Sequence, residues 1–232
     1  MSNRILVVGA GPSLKSNLID FKRLGDFDGT VIATDAAIQH MLRMDIIPTV
    51  GSCLEDLPQL TKYFVPEIVV EKGHLMEKVW ISDRVHGQVR ASIKEAGLEH
   101  EIAAQVREIG TSNVGLFSTA IAHLIYKSNE VHYIGMDHCY PANQPPPVPK
   151  SDPLYELGFY EVVNPIIDET LVLNPAHELW REELHENLKL WKNLRIINHS
   201  GYGAIFGRQI DWQPISDLKS WDEAYLPVVK QE

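Results

Sequence analysis

The sequence predicts an α/β domain, a mostly parallel sheet with helices on both faces. Three observations carry that expectation. Short apolar runs alternate with helical patterns along most of the 232 residues, and such alternation specifies parallel strands joined by crossovers. The opening run Ile5-Leu6-Val7-Val8 is apolar throughout, as a strand covered on both sides has to be. Glycine-bearing turns at 9–12 and 110–115 each stand between such a run and a helix.

Taken in order, the first strand ends at Val8 and a short helix follows at 13–18. Pro12 suits its first position, where a missing N–H costs nothing. A second strand ends at Thr34, a helix covers 36–44, and 49–53 reads as a third strand. Residues 57–64 read as a helix and 67–71 as a fourth strand; from 72 to 101 the pattern is faint, with a helix at 85–96. The second half repeats the theme with a strand at 106–109, a long helix at 113–126 and a strand at 130–136. Residues 141–153 are rich in proline, and a loop of that length is either disordered or a functional lid. A helix opened by Pro175 runs to 191, a strand covers 194–198, and a glycine-rich turn lies at 201–207. The expected organisation is a nucleotide-binding domain at 1–210, with a lid at about 138–153, and a C-terminal helical addition at 211–232.

Composition narrows the function. The hydrophobic share of 44% and charged share of 22% are ordinary for a folded soluble chain. No stretch approaches the ~20 apolar residues of a membrane span, and a strand so near the N-terminus leaves no room for a signal peptide. Cys53 and Cys139 are too few for a disulfide framework. A cytoplasmic location without a membrane partner is expected. The formal net charge of -10 repels nucleic acid, whereas a small phosphorylated ligand remains compatible. Oligomeric state has no signature.

Chemistry concentrates at the turns. Two glycines, Gly9 and Gly11, allow a tight bend, and the helix after Pro12 would aim its amides, Ser13, Leu14 and Lys15 at one spot. That is an anion site, with a phosphate as its expected occupant. The dinucleotide fingerprint has glycine where this chain has Leu14, which counts against NAD, although Asp35 stands where a ribose-binding acid would. A purely structural turn is the plain alternative. In the second turn Thr111, Ser112 or Asn113 would cap the helix, with Gly115 in its first turn. Both turns lie at the carboxyl edge of a parallel sheet, so their helix tips would converge on one crevice and suit a nucleotide with several phosphates.

Acids end several strands: Asp35, the pair Glu55 and Asp56, and Asp137. Carboxylates beside phosphates normally need Mg²⁺ between them, so Asp35 and Asp137, then Asp56, are the expected ligands. His177, in the first turn of the helix at Pro175, is placed to act as a base on an acceptor hydroxyl. His138 beside Cys139 lacks the second pair that a zinc site requires.

The motifs Gly9-Ala10-Gly11-Pro12-Ser13-Leu14, Ala33-Thr34-Asp35-Ala36-Ala37, Gly110-Thr111-Ser112-Asn113-Val114-Gly115 and Ile134-Gly135-Met136-Asp137 follow one order. In that order the chain resembles the 6-hydroxymethylpterin pyrophosphokinase-like family, which includes motility accessory factors that glycosylate flagellin. The turn at 201–207 is similar to one near the end of that domain. More distantly, the Gly11-to-Lys15 turn, Thr111-Ser112 and Gly135-Met136-Asp137 resemble the bacterial sialyltransferases that use CMP-sialic acid, although Asp35 stands where those enzymes commonly place Asn. The resemblance implies a Rossmann-like fold and a nucleotide-dependent transferase. In the leading form, ATP with Mg²⁺ donates a pyrophosphoryl group to the hydroxymethyl of a pterin-like acceptor. The alternative is a glycosyltransferase using a nucleotide sugar such as CMP-sialic acid, with His177 as base. A non-catalytic nucleotide-binding domain is the alternative of another class. The expected partners are thus a nucleotide and a small-molecule acceptor.

Overall fold

The computed structural model describes residues 4–24, 27–54, 78–82, 91, 94, 103–107, 109–142 and 158–218. Strand β1 (Ile5–Val8) leads into helix α1 (Leu14–Leu24), then β2 (Thr30–Thr34), α2 (Asp35–Arg43) and β3 (Val50–Cys53). Strands β4 (Lys78–Ser82) and β5 (Ala103–Arg107) precede α3 (Val114–Ala120), which continues as a π-helical turn over Ile121–Ile125. After β6 (Glu130–Ile134) come the short β7 (Tyr140–Pro141), β8 (Tyr160–Asn164) and β9 (Glu169–Leu173). Helix α4 (Pro175–Leu190), β10 (Arg195–Asn198) and β11 (Ile210–Trp212) complete the described elements.

Eight strands form one sheet in the order β11-β10-β6-β1-β2-β3-β4-β5, and every neighbouring pair is parallel. The fold is α/β and Rossmann-like. Alternate residues of β1 explain its two faces. Leu6 and Val8 pack with Leu14 and Leu18 of α1 and with Ile38 and Met41 of α2. Ile5 and Val7 pack with Leu116 and Phe117 of α3 and with Leu184 and Leu188 of α4. Because the chain leaves β1 toward β2 and later returns to β6 on the other flank, the strand order reverses between β1 and β6. Open parallel sheets form their ligand crevice at such a point.

Several expectations shift. The first helix runs on to Leu24, well past residue 18. The strand expected at 106–109 is β5, ending at Arg107. Strands β8 and β9 were not expected; with β7 they make a separate antiparallel sheet in the order β7-β9-β8. Residues 210–212 form an edge strand on β10, so the boundary expected at 211 falls inside the main sheet. A strand of three residues is too short for periodicity to show. The helix at 57–64, the strand at 67–71, most of the helix at 85–96, the lid beyond 142 and the tail beyond 218 lie outside the described residues. Among the described residues no helix is long and apolar enough to cross a membrane.

Candidate functional site

A cavity of about 520 Å³ opens at the carboxyl edge of the sheet. Its floor is the turn after β1 and the segment after β6; its walls are the starts of α2, α3 and α4. Of the expected site residues, Gly9, Gly11, Pro12, Asp35, Asn113, Gly115, Asp137 and His177 all line it. Ser13, Leu14, Lys15, Thr111 and Ser112 do not, and Asp56 lies outside the described residues.

The turn after β1 directs several of its amides inward: Gly9 donates to the Ile134 carbonyl (2.9 Å), Gly11 to Gly135 (2.7 Å) and Leu14 to Gly11 (3.0 Å). Ser13 donates through its amide to Asp137 Oδ2 (2.6 Å) and through its hydroxyl to Asp137 Oδ1 (2.7 Å). Thus the anion at the tip of α1 is the Asp137 carboxylate, which enjoys the field that a phosphate would have used. Leu14 is buried in the core, and Lys15 is exposed. This turn seats Asp137, and two glycines show how closely. A Cβ on Gly11 would lie 2.5 Å from Asp137 Oδ2, and one on Gly203 2.8 Å from Asp137 Cα. Gly203 also holds a φ of +120°, which L side chains rarely adopt. Burial pushes the Asp137 carboxyl up to about 6, against the opposing pull of the two Ser13 bonds.

At the second helix tip the chain supplies its own cap. Asn113 caps α3, its Oδ1 accepting from the Leu116 amide (2.9 Å). Ser112 gives its amide (3.1 Å) and its hydroxyl to the Glu183 carboxylate of α4. Thr111 is buried beside it. Asn113 Nδ2 remains: it belongs to a buried side chain on the cavity wall and has no hydrogen-bond partner among the described residues.

The charge inventory of the cavity is one-sided. Asp35 and Asp137 contribute carboxylates, and no Lys or Arg lines the cavity among the described residues. Of the three acids expected to hold Mg²⁺, Asp35 and Asp137 line the cavity and Asp56 lies outside the described residues. Both Asp137 oxygens already serve Ser13, and no group of three His, Cys, Asp or Glu side chains converges as a metal site among the described residues.

The remaining wall is aromatic. His177 packs edge-on against Tyr140 (ring centroids 4.7 Å) and Trp180 (5.3 Å), and Trp180 meets His138 (5.9 Å). His177 belongs to a capping box with Asn174: its amide donates to Asn174 Oδ1 (3.0 Å), and its Nδ1 accepts from the Asn174 amide (3.3 Å). Burial lowers the imidazole to about 4, so the ring is neutral near pH 7. A neutral ring that accepts at Nδ1 carries its proton on Nε2. That geometry leaves His177 with an Nε2–H to donate. His138, Tyr140 and Trp180 were not singled out as site residues. Two signals point to them: His138 follows Asp137 at the end of β6, and Trp180 stands three positions after His177 on one helix face. His138 holds a φ of +48°, a conformation non-glycine residues seldom keep without a local reason.

Comparison with known proteins follows this geometry. A family model described as 6-hydroxymethylpterin diphosphokinase MptE-like matches residues 2–143. The MAf glycosyltransferase from Magnetospirillum magneticum AMB-1 has a similar structure, with a TM-score of 0.66 and 16% sequence identity. The similarity covers 96% of this chain and 36% of that one. At that identity the likeness speaks for the fold. No curated protein sequence matches the chain.

Proposed function

The chain belongs to the 6-hydroxymethylpterin diphosphokinase MptE-like family, and from that premise we propose that it is a transferase that moves a glycosyl group from a nucleotide sugar with a single phosphate, of the CMP-sialic acid kind. The observation that carries this reading is the charge of the cavity. At the tip of α1 the chain's own Asp137 takes the Ser13 amide, and just ahead of the α3 cap the Glu183 carboxylate takes Ser112. Two acids and no Lys or Arg line the cavity among the described residues. A nucleoside triphosphate concentrates several negative charges and calls for cations or open amides. CMP-sialic acid brings one phosphodiester charge and one sugar carboxylate set apart from it, fewer and less concentrated charges than a triphosphate, and neutral donors can hold the phosphodiester. The structural likeness to a glycosyltransferase supports the same reading.

In this reaction an acceptor hydroxyl oxygen bonds to the anomeric carbon, the bond from that carbon to the phosphate oxygen breaks, the nucleotide leaves with the bonding pair, and the hydroxyl proton passes to the departing phosphate oxygen. The chain's contribution is position and orientation. Asn113 and His177 face the leaving phosphate oxygens, and the rings of Tyr140 and Trp180 offer a flat apolar surface to the base or sugar. Asp35 contacts sugar or ribose hydroxyls as an acceptor. No step is assigned to a metal ion.

Titration calorimetry of the purified chain with CMP, CMP-sialic acid and ATP, each with and without Mg²⁺, tests the proposal. The CMP compounds should bind, with ATP at least about tenfold weaker, a gap of roughly 1.4 kcal/mol. Tighter binding of ATP than of either CMP compound would favour the pyrophosphokinase and overturn the glycosyl-transfer reading.

A further inference from the structure

We propose that His177 serves the ligand as a fixed neutral hydrogen-bond donor through Nε2–H, and that it is paired in this task with the Asn113 side-chain amide. The inference deepens the nucleotide-sugar reading and rests on it for the identity of the ligand.

The two residues share an architecture. Each belongs to the capping structure at the start of a helix on the cavity wall, and each spends its acceptor atom on that cap. Asn113 Oδ1 takes the Leu116 amide, which fixes the amide plane and leaves its N–H bonds unspent in the buried wall beside the cavity. An amide nitrogen left buried and unpaired costs about 1–3 kcal/mol, so a ligand oxygen that accepts from Asn113 Nδ2 recovers that loss. His177 Nδ1 takes the Asn174 amide, and Tyr140 and Trp180 pack edge-on against the ring. The opposite tautomer would set an Nδ1–H against the Asn174 N–H and break the box. To accept a proton at Nε2 from the neutral state the ring would need that tautomer, so the cap and the role of base exclude one another. Two neutral donors suit a ligand oxygen of low charge in a cavity that already holds Asp35 and Asp137.

Substitution separates donor from base. In His177→Gln the side chain keeps an acceptor for the Asn174 amide and a donor for the ligand, but cannot act as a base. In His177→Glu the cap acceptor stays and the donor is lost. Asn113→Asp does the same at the second position. CMP affinity measured by calorimetry should stay within about threefold for His177→Gln and fall about tenfold or more for His177→Glu and Asn113→Asp. Equal losses in the Gln and Glu variants would overturn the donor assignment. A second measurement does not depend on variants that fold or on any ligand. Nitrogen-15 NMR of the unliganded wild-type chain should show His177 protonated at Nε2 and bare at Nδ1 near neutral pH. An Nδ1–H ring, or an imidazolium, would overturn the inference. Failure of the wild-type chain to bind CMP would instead remove the nucleotide-sugar reading, and the ring's NMR signature would then decide the donor assignment alone.

Discussion

Ser13 grips Asp137 twice, its amide 2.6 Å from Oδ2 and its hydroxyl 2.7 Å from Oδ1, across 124 residues of chain. The same hydroxyl lies 2.9 Å from Asn17 Oδ1. A hydroxyl has one proton for these two acceptors. When Asp137 is ionised, one of them goes short. When Oδ1 is protonated, it donates to the hydroxyl, whose own proton passes to Asn17, and the network closes.

Asp137→Asn reproduces the closed network, with the amide oxygen on the Ser13 amide and the amide nitrogen donating to the Ser13 hydroxyl. We expect its stability to stay within about 1 kcal/mol of wild type. Asp137→Ala leaves the helix tip and the Ser13 amide without a partner and should cost about 2–4 kcal/mol. Urea denaturation of both variants checks this. A large loss in Asn equal to that in Ala would mean that the charge, and not the cap, is what the site requires.

Gly11→Ala should disturb the same carboxylate from the other side. Its new methyl would fall 2.5 Å from Asp137 Oδ2 and 2.7 Å from the Gly135 carbonyl oxygen, one of them backbone that cannot move aside. We expect a loss of about 2–4 kcal/mol, the scale of overpacking and cap displacement combined. A thermal melt unchanged from wild type would contradict the packing described.

Acid should destabilise the fold well before ordinary carboxylates titrate. Burial holds His138, His177 and His199 at about 3, 4 and 4, against 6.5 for an ordinary imidazole. Between about pH 4 and 6.5 the unfolded chain takes up protons that the fold refuses. Their contribution is therefore complete above that window and is lost as pH falls through it. Asp137 works the other way: raised to about 6 from 3.8, it makes the fold bind its proton more readily, so the fold gains from it as pH falls through the same range. Three imidazoles outweigh one carboxyl. Melting temperature should rise between about pH 4.5 and pH 7, and a flat or falling trend would count against the burial of these rings.

Chelation should matter little to nucleotide affinity. Asp137 is engaged by Ser13, and no trio of metal-binding side chains forms among the described residues. We expect CMP affinity measured in EDTA to stay within about twofold of that in Mg²⁺. A tenfold loss would return a metal to the site.

The sequence made the scaffold readable because its signals are local. Ile5-Leu6-Val7-Val8 is uniformly buried, and Pro175 follows the capping Asn174 and precedes the helix it starts. Strand β8, exposed at three of its five positions, carries no strong apolar signature and escaped notice. The site was legible in part. Both helix tips were found, and Gly9, Gly11, Asn113, Asp137 and His177 do meet around one cavity. What fills those tips was not legible, since nothing local links Ser13 to Asp137 or Ser112 to Glu183, 71 residues away. The glycine of the turn at 203 also has a reason invisible in one dimension: the Asp137 backbone lies against it.

Near the opposite end of the chain, Arg4 Nη2 donates to the Leu218 carbonyl at 2.6 Å, and Leu218 packs into the layer beneath α1 and α2. The residue before the first strand is thus stitched to the last residue described. During synthesis, a nascent polypeptide halted before Gly203 would have made every wall of the cavity yet lack the backbone that packs against Asp137. Contacts of such wide separation slow folding, so the cavity should take its final shape only once the segment through Gly203 has left the ribosome.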